Sequence, residues 1–333
     1  MKQTFKVFVD KQTRNILFTV LAVLFIFAFV SFMICRHTLT AEAQIRYIGL
    51  KNVISEKFSK TIGAMEMSAE NVFDEVGKHM DSPEAVVTAL KSKTHLNPEV
   101  RGYFAAFEPE YFPQKGTWFE PYIHHSDSSE FEYSQVGSAR HDYTKSDWYV
   151  RAKQSSDSFW SDPYYYYDGT NMSGHYATFV KPIFDSTGRL ACVCGADITF
   201  DWATKELQRI DNESKNDSLL NMGHLYEILD FYSVIIDKGG YCIVHPEGKS
   251  VPLTKEQARV LTQQRSGMMD LEISGVPSTL YYSPIEHVDW TVALVVTKQD
   301  MQKTLFMLGL VFFLIMLIGI IVVWVACSRV TGK

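Results

Sequence analysis

The chain has 333 residues, 46% of them hydrophobic, and a formal charge of −6 at neutral pH. The charge is uneven: residues 36–303 hold 26 Lys and Arg against 37 Asp and Glu, a net −11, which excludes nucleic acid and anionic lipid surfaces as partners of that stretch, because both demand clustered cations. Five cysteines, with only Cys192, Cys194 and Cys242 in that stretch, do not make a disulfide scaffold.

Two apolar runs without an ionisable side chain, Ile16 to Cys35 and Thr304 to Cys327, bracket the 268 residues between them. Each meets the ~20 apolar residues that a helix needs to span a bilayer. Lys2, Lys6, Lys11 and Arg14 precede the first run, and Arg329 and Lys333 follow the second. Cationic flanks stay in the cytoplasm, so both termini are expected inside and the loop outside the inner (cytoplasmic) membrane. A cleaved leader ending near Ala41-Glu42-Ala43 is the alternative for the first run, but its apolar stretch exceeds the usual ~7–15 residues.

Beyond the first span, Leu50, Ile54, Phe58, Ile62, Met65, Ala69, Val72 and Val76 recur every three or four residues. That is one apolar stripe on a helix that, over residues 41–78, would reach ~57 Å. Such a stripe packs on the body of its own domain, on a twin helix in a homodimer, or on both. Ser82 followed by Pro83 marks the start of a short helix running to about Lys93.

Aromatic, alternating segments then predict antiparallel strands at 102–107, 117–124, 175–184 and 190–198. Residues 200–210 return to helix and 211–217 form a polar linker. A second strand-rich stretch follows at 231–237, 241–245, 268–273, 279–285 and 290–297. Cys192 and Cys194, two apart in one strand, face the same way and are poorly placed to bond each other; a bridge from Cys242 to one of them is a minor alternative. Strand, Pro182-Ile183, turn, strand recurs as strand, Pro284-Ile285, turn, strand at an offset of 102 residues, which suits two tandem modules.

Several marks follow in order along the loop: Asp147-Trp148-Tyr149 with Ala152; Trp160 and Pro163-Tyr164; Lys181-Pro182-Ile183-Phe184-Asp185 with Gly188; and Gly195-Ala196-Asp197. In the second stretch, Ile236-Asp237-Lys238-Gly239-Gly240 precedes Val244-His245-Pro246, and Tyr282-Ser283-Pro284-Ile285 precedes Trp290. In these features the loop resembles a double Cache ectodomain, the tandem PAS-like sensor of bacterial transmembrane receptors. The resemblance implies an α+β fold: two antiparallel-sheet modules on a long N-terminal helix, flanked by two transmembrane helices. The expected division is a cytoplasmic start (1–15), first span (16–35), stalk helix (36–80), membrane-distal module (81–210), linker (211–222), membrane-proximal module (223–300), second span (304–327) and tail (328–333).

The resemblance also implies a ligand pocket in the distal module. Position by position it proposes Trp148, Tyr149 and Tyr164 as lining residues and Asp197 as the partner of an ammonium, with Tyr176 beside them. The chemistry is coherent, since a carboxylate pairs with an amine and aromatic faces add cation–π attraction. In the amino-acid-binding branch an Arg stands two residues before the Trp and grips the ligand carboxylate. Here that position is Ser146, with Lys145 beside it. Lys lacks the two-pronged fork of Arg. An amino acid, an amine, or a small carboxylate held by Lys145, Arg140 or Lys181 therefore all stay open.

Within the run Pro163 to Asp168, alternate tyrosines are expected to face a pocket, or else simply to pack a loop. No cofactor is expected and no metal: His124 and His125 would face opposite sides of a strand, and His141, His175, His224, His245 and His287 are scattered without zinc-type spacing. The asparagines at 171, 212 and 216 stand in glycosylation-type triplets that short polar loops generate freely. Phosphate-cradling Gly-rich loops, nucleophile elbows and zinc-protease motifs are absent. The expectation is a non-enzymatic small-molecule sensor whose output lies beyond residue 333, reached through the second span. A complete binding protein signalling through a membrane partner is the second reading, and an ectoenzyme the third.

Overall fold

The structure, a computed structural model, describes residues 2–125, 131–166, 174–216, 231–245, 251, 253–263, 266–273 and 275–331. Tyr167 and Asp168 of the tyrosine run, the triplet at 171, the remainder of the triplet at 216, His224, Pro246 and the linker beyond Asn216 lie outside them.

One helix, α1, runs unbroken over Lys2–Lys78, joining the first apolar run to the striped segment. Its stripe is buried: Ile54, Phe58, Ile62, Met65, Ala69, Val72 and Val76 enter the main core. Helix α2, Pro83–Lys93, starts as predicted, with Ser82 Oγ accepting from the Ala85 amide at 3.1 Å. The last helix, α6, covers Lys298–Thr331. The spans of α1 and α6 are long and apolar enough to cross a membrane and expose side chains such as Phe25, Phe27, Phe313 and Trp324. They also touch each other, with Phe32 and Phe312 rings edge-on at 6.0 Å.

Between the spans lie two antiparallel sheets. The distal sheet contains β1 (Gly102–Phe107), β2 (Pro121–His125), β3 (Phe131–Gln135), β4 (Phe159–Trp160), β5 (Tyr164–Tyr166), β6 (Gly174–Phe184) and β7 (Leu190–Thr199), in the order β3-β2-β1-β7-β6-β4 with β5 on β6. Helix α3, Asp147–Lys153, covers part of its outer face and α4 is Asp201–Asn216. The proximal sheet contains β8 (Phe231–Ile236), β9 (Cys242–Val244), β10 (Gly267–Ile273), β11 (Val276–Ile285) and β12 (Trp290–Thr297), in the order β10-β11-β12-β8-β9, with helix α5 (Lys255–Gln263) packed against it. Helices α3 and α5 and strands β3, β4, β5 were not anticipated from the sequence.

The polar segment after Ile210 is helical as far as Asn216, where a linker was expected. The reason is an anchor: Asp211 accepts from the Ser233 amide at 2.8 Å and its hydroxyl at 2.6 Å, tying the end of α4 to β8. The repeat is a repeated hairpin, β6–β7 and β11–β12, with Pro182 opposite Val193 and Pro284 opposite Thr291. The Cys192 and Cys194 thiols lie on one face in a 3.9 Å hydrogen-bond contact without a disulfide, and Cys242 is likewise not in a disulfide.

Strand alternation divides the distal sheet. Tyr103, Ala105, Phe107, Cys192, Cys194 and Ala196 face α1 in the main core, while Phe104, Ala106, Tyr122, Val180 and Val193 face outward into a second cluster with Tyr143, Tyr149 and Ala152. That outer face is where the site forms.

Candidate ligand site in the distal module

The floor of the site follows from two glycines. Gly102 sits opposite Asp197 and His124, and Phe104 opposite Gly195 and Tyr122, so these residues share one face of neighbouring rows. A Cβ on Gly195 would stand 2.1 Å from the Phe104 ring, and one on Gly102 would stand 2.6 Å from the Tyr122 ring. Without those side chains both rings lie flat across the sheet. Ring centroids of Phe104 and Tyr122 are 6.3 Å apart, and Trp148 rests 5.1 Å from Phe104.

The walls come from α3 and from the segment leading through β5. On α3, Trp148 and Arg151 are one turn apart and both reach the cavity, while Tyr149 and Ala152 turn into the core. Strand β5 alternates: Tyr164 and Tyr166 line the cavity and Tyr165 points to solvent. With Tyr176 from β6 and Glu120 ahead of β2, these residues enclose about 450 Å³, a volume suited to a small metabolite.

Two carboxylates lie at the bottom. Thr178 donates to Asp197 Oδ1 at 2.6 Å, the Tyr164 hydroxyl lies 2.8 Å from Thr178 Oγ1, and the Tyr122 and Tyr164 hydroxyls favour the ionised carboxylate. Burial outweighs those bonds and pushes Asp197 up from 3.8 to about 6. Glu120 is only 3% exposed, and its Oε2 has no hydrogen-bond partner. His141 Nε2 is 3.5 Å from that oxygen, an ion-pair contact too long to be a hydrogen bond. Burial, and then the nearby Asp197, push Glu120 well above 4.5. Both acids would be eased by an incoming cation. Arg151 brings the opposite charge: its guanidinium stacks 3.9 Å from the Phe159 ring centroid and makes one long bond, 3.5 Å, to the Trp160 carbonyl.

Of the six residues proposed from sequence, Trp148, Tyr164, Tyr176 and Asp197 converge on the cavity. Tyr149 does not line it. Its ring is buried beneath α3 and its hydroxyl donates to Glu108 Oε1 at 2.7 Å, because the residue after Trp148 on a helix turns about 100° away. Lys145 does not line it either; its side chain is largely in solvent and pairs with Asp142 at 2.9 Å. Lys181 is on the opposite sheet face, bonded to Glu70 and Asp74 of α1, and Arg140 is exposed outside the lining. The residues missed are Phe104, Glu120, Tyr122, His141, Arg151 and Phe159. Reading 147–153 as a helix would have found Arg151, three residues after Trp148. Among the described residues no cluster of three or more His, Cys, Asp or Glu is arranged to hold a metal ion.

Residues 86–205 match the family model described as "Methyl-accepting chemotaxis protein-like, first PDC sensor domain". The match spans the whole site. Solved structures extend the likeness across both modules. The extracellular domain mmHK1S-Z3, described as that of a histidine kinase, superposes with a TM-score of 0.60 at 18% identity, covering 78% of this chain and 96% of that one. The fold is a double Cache fold. The periplasmic sensory domain of the Campylobacter jejuni chemoreceptor Tlp1 gives a TM-score of 0.60 at 13% identity, over 77% of this chain and 95% of its own. The ligand-binding domain of the Pseudomonas fluorescens chemoreceptor CtaA, in complex with L-isoleucine, gives 0.53 at 14%, over 80% and 98%. A search of the curated proteins gives no match. The cavity lies in the module that the family model matches, and α6 continues from the last strand of the other.

Proposed function

We propose that the chain is the extracytoplasmic sensing region of a two-span membrane receptor and that its distal Cache module binds a small molecule carrying a protonated amine. Both termini lie in the cytoplasm, and the signal leaves through α6. The observation that supports the ligand class is the pair of buried acids, Asp197 and Glu120, facing an aromatic cavity, which an ammonium would neutralise and the rings would shield. Arg151 favours one subset of amines, the amino acids. It could take a carboxylate from α3, in place of the cation missing at Ser146. The CtaA domain in complex with L-isoleucine is consistent with that subset.

Contacts between modules support the route. Asp162, at the cavity, pairs with Lys238 of the proximal β8–β9 turn at 2.5 Å. On α1, Glu66 accepts from Trp160 Nε1 at 2.7 Å and pairs with His287 of the β11–β12 turn at 2.8 Å. Strand β12 then runs straight into α6. Switching needs a ligand that prefers one arrangement, at ~1.4 kcal/mol per tenfold preference.

The test is a thermal-shift screen of the full chain in lipid nanodiscs against amines, amino acids and simple carboxylates. Amine-bearing compounds should raise the melting temperature, and Asp197→Asn should abolish the shift. Hits confined to compounds without a basic nitrogen would sink the reading. Arg151→Gln divides the remainder: it should weaken amino acids and leave plain amines unchanged.

A further inference from the structure

The distal cavity offers much aromatic surface and little spare hydrogen-bonding capacity. Seven aromatic side chains line it. They meet at corners: the Trp148 ring is tilted 57° to that of Phe104, with centroids 5.1 Å apart, and Tyr166 stands at 85° to Tyr176, at 6.4 Å. Rings set at such angles can surround a small group on several sides, which a parallel stack cannot do. One wall already carries a cation on an aromatic face, since the Arg151 guanidinium sits 3.9 Å from the Phe159 ring centroid.

The acceptors near the floor are largely committed. Thr178 donates to Asp197 Oδ1, and the Tyr122 and Tyr164 hydroxyls support the same carboxylate charge. Glu120 adds charge nearby, but its unpartnered Oε2 is itself buried and gives a ligand nothing to bond. Ser161 Oγ accepts from the Thr178 amide at 3.0 Å and donates to the Asp162 carbonyl at 3.0 Å. The other acids of the lining, Asp147 and Asp162, are exposed, and Asp162 pairs with Lys238. A primary ammonium carries three N–H donors, and each one left without an acceptor in a dry site is a penalty. Replacing N–H by N–methyl removes that demand, keeps the positive charge and adds apolar surface for the rings.

We infer that the cavity selects an N-methylated ammonium, a secondary or tertiary amine of a small molecule, with its remaining N–H directed at Asp197 and its methyl groups against Phe104, Tyr122, Trp148 and Tyr176. This class is a subset of the amines proposed above and rests on that reading. The cavity, about 450 Å³, leaves room for the added methyl groups. Arg151 keeps its part: an N-methylated amino acid presents a carboxylate to it, and an N-methylated amino alcohol does not.

The test titrates the full chain in nanodiscs, by calorimetry at neutral pH, with two matched pairs: ethanolamine and N,N-dimethylethanolamine, then glycine and N,N-dimethylglycine. In both pairs the dimethylated member should bind about tenfold more tightly. Trp148→Leu and, separately, Tyr176→Leu keep an apolar residue but remove the ring, and each should shrink that preference several-fold. Melting temperatures of the unliganded variants check that they fold. 3-Methyl-1-butanol, the uncharged counterpart of N,N-dimethylethanolamine, should bind more weakly than it by about tenfold or more. Equal binding of the two would overturn the amine reading and this inference with it. A pair in which methylation brings no gain, or a gain that survives both ring removals unchanged, would overturn the inference alone and leave the amine reading in place.

Discussion

At matching places in the two sheets the distal module carries Asp197 and Gly195, and the proximal module carries Val295 and Ala293. The match is set by register. Thr178 pairs with Asp197 and Val180 with Gly195, while Leu280 and Tyr282, each 102 residues later, pair with Val295 and Ala293. Across the next strand, Gly102 and Phe104 correspond to Tyr232 and Val234. The proximal face is a filled core: Val234, Leu280, Tyr282, Ala293 and Val295 pack with Leu261 of α5 and with Leu271 and Ile273. The distal face stays hollow at this level because a carboxylate, a threonine and two glycines stand where the other module has apolar side chains. Matching strand registers thus give a core in one case and a cavity in the other, and a few side chains per row make the difference.

The sharpest way to break the comparison is Asp197→Val, which gives the distal row the residue of the proximal one. Amine binding should fall by ~2–5 kcal/mol, as expected when one partner of a buried charge pair is lost. The melting temperature without ligand should hold or rise, because a buried acid displaced to about 6 is a cost to the fold. Calorimetry and thermal unfolding on the same preparation check both halves.

Acidity gives the next largest effect. Asp197 keeps its proton up to about pH 6 in the folded chain, against 3.8 for the free residue. Between those values the folded state binds more protons than the unfolded one, so this group's contribution to stability falls as pH rises, by ~3 kcal/mol in all. Glu120, also raised, acts in the same direction. Amine affinity should run the opposite way, climbing as pH rises through 6 and the carboxylate ionises. Denaturant titrations of wild type and Asp197→Asn at pH 4.5 and 7 would show it, the variant losing most of the difference.

Gly195→Ala tests the floor. The added methyl meets the Phe104 ring at 2.1 Å, so the ring must lift, at a cost of ~1–3 kcal/mol in stability together with weaker ligand binding. The reciprocal change, Ala293→Gly, should cost ~1 kcal/mol and touch binding little. Smallest is Lys238→Ala, which removes the pair with Asp162. An exposed pair is worth ~0–1 kcal/mol, so ligand affinity should barely move; a fluorescent reporter on α6 would show whether the ligand response still arrives.

Much of the frame was legible before any coordinates. The stripe from Leu50 to Val76, the Ser82 cap, the strands at 102–107 and 290–297 and the hairpin repeat all follow from local periodicity, which a strand or helix imposes along its own length. Trp148, Tyr164, Tyr176 and Asp197, proposed from the family resemblance, line the cavity. Lys145 and Tyr149 lie outside the lining: Lys145 ends the turn before α3 and reaches into solvent beside Asp142, while Tyr149 leaves α3 in another direction from Trp148. Glu120 and Tyr122 were missed because their place depends on what lies across the sheet, and pairing register is not written in any one segment; Arg151 was missed because 147–153 was not read as a helix.

Sequence by itself therefore determined the two apolar spans, the helical stalk and the tandem sheets, since each rests on patterns of burial within a few turns or strands. Only the tertiary structure decided that two glycines lower Phe104 and Tyr122 into a floor, that Asp197 and Glu120 share one cavity, and that Arg151 rather than Lys145 reaches it. Those outcomes depend on which residues stand opposite one another after the strands pair, and the chain settles that only by folding.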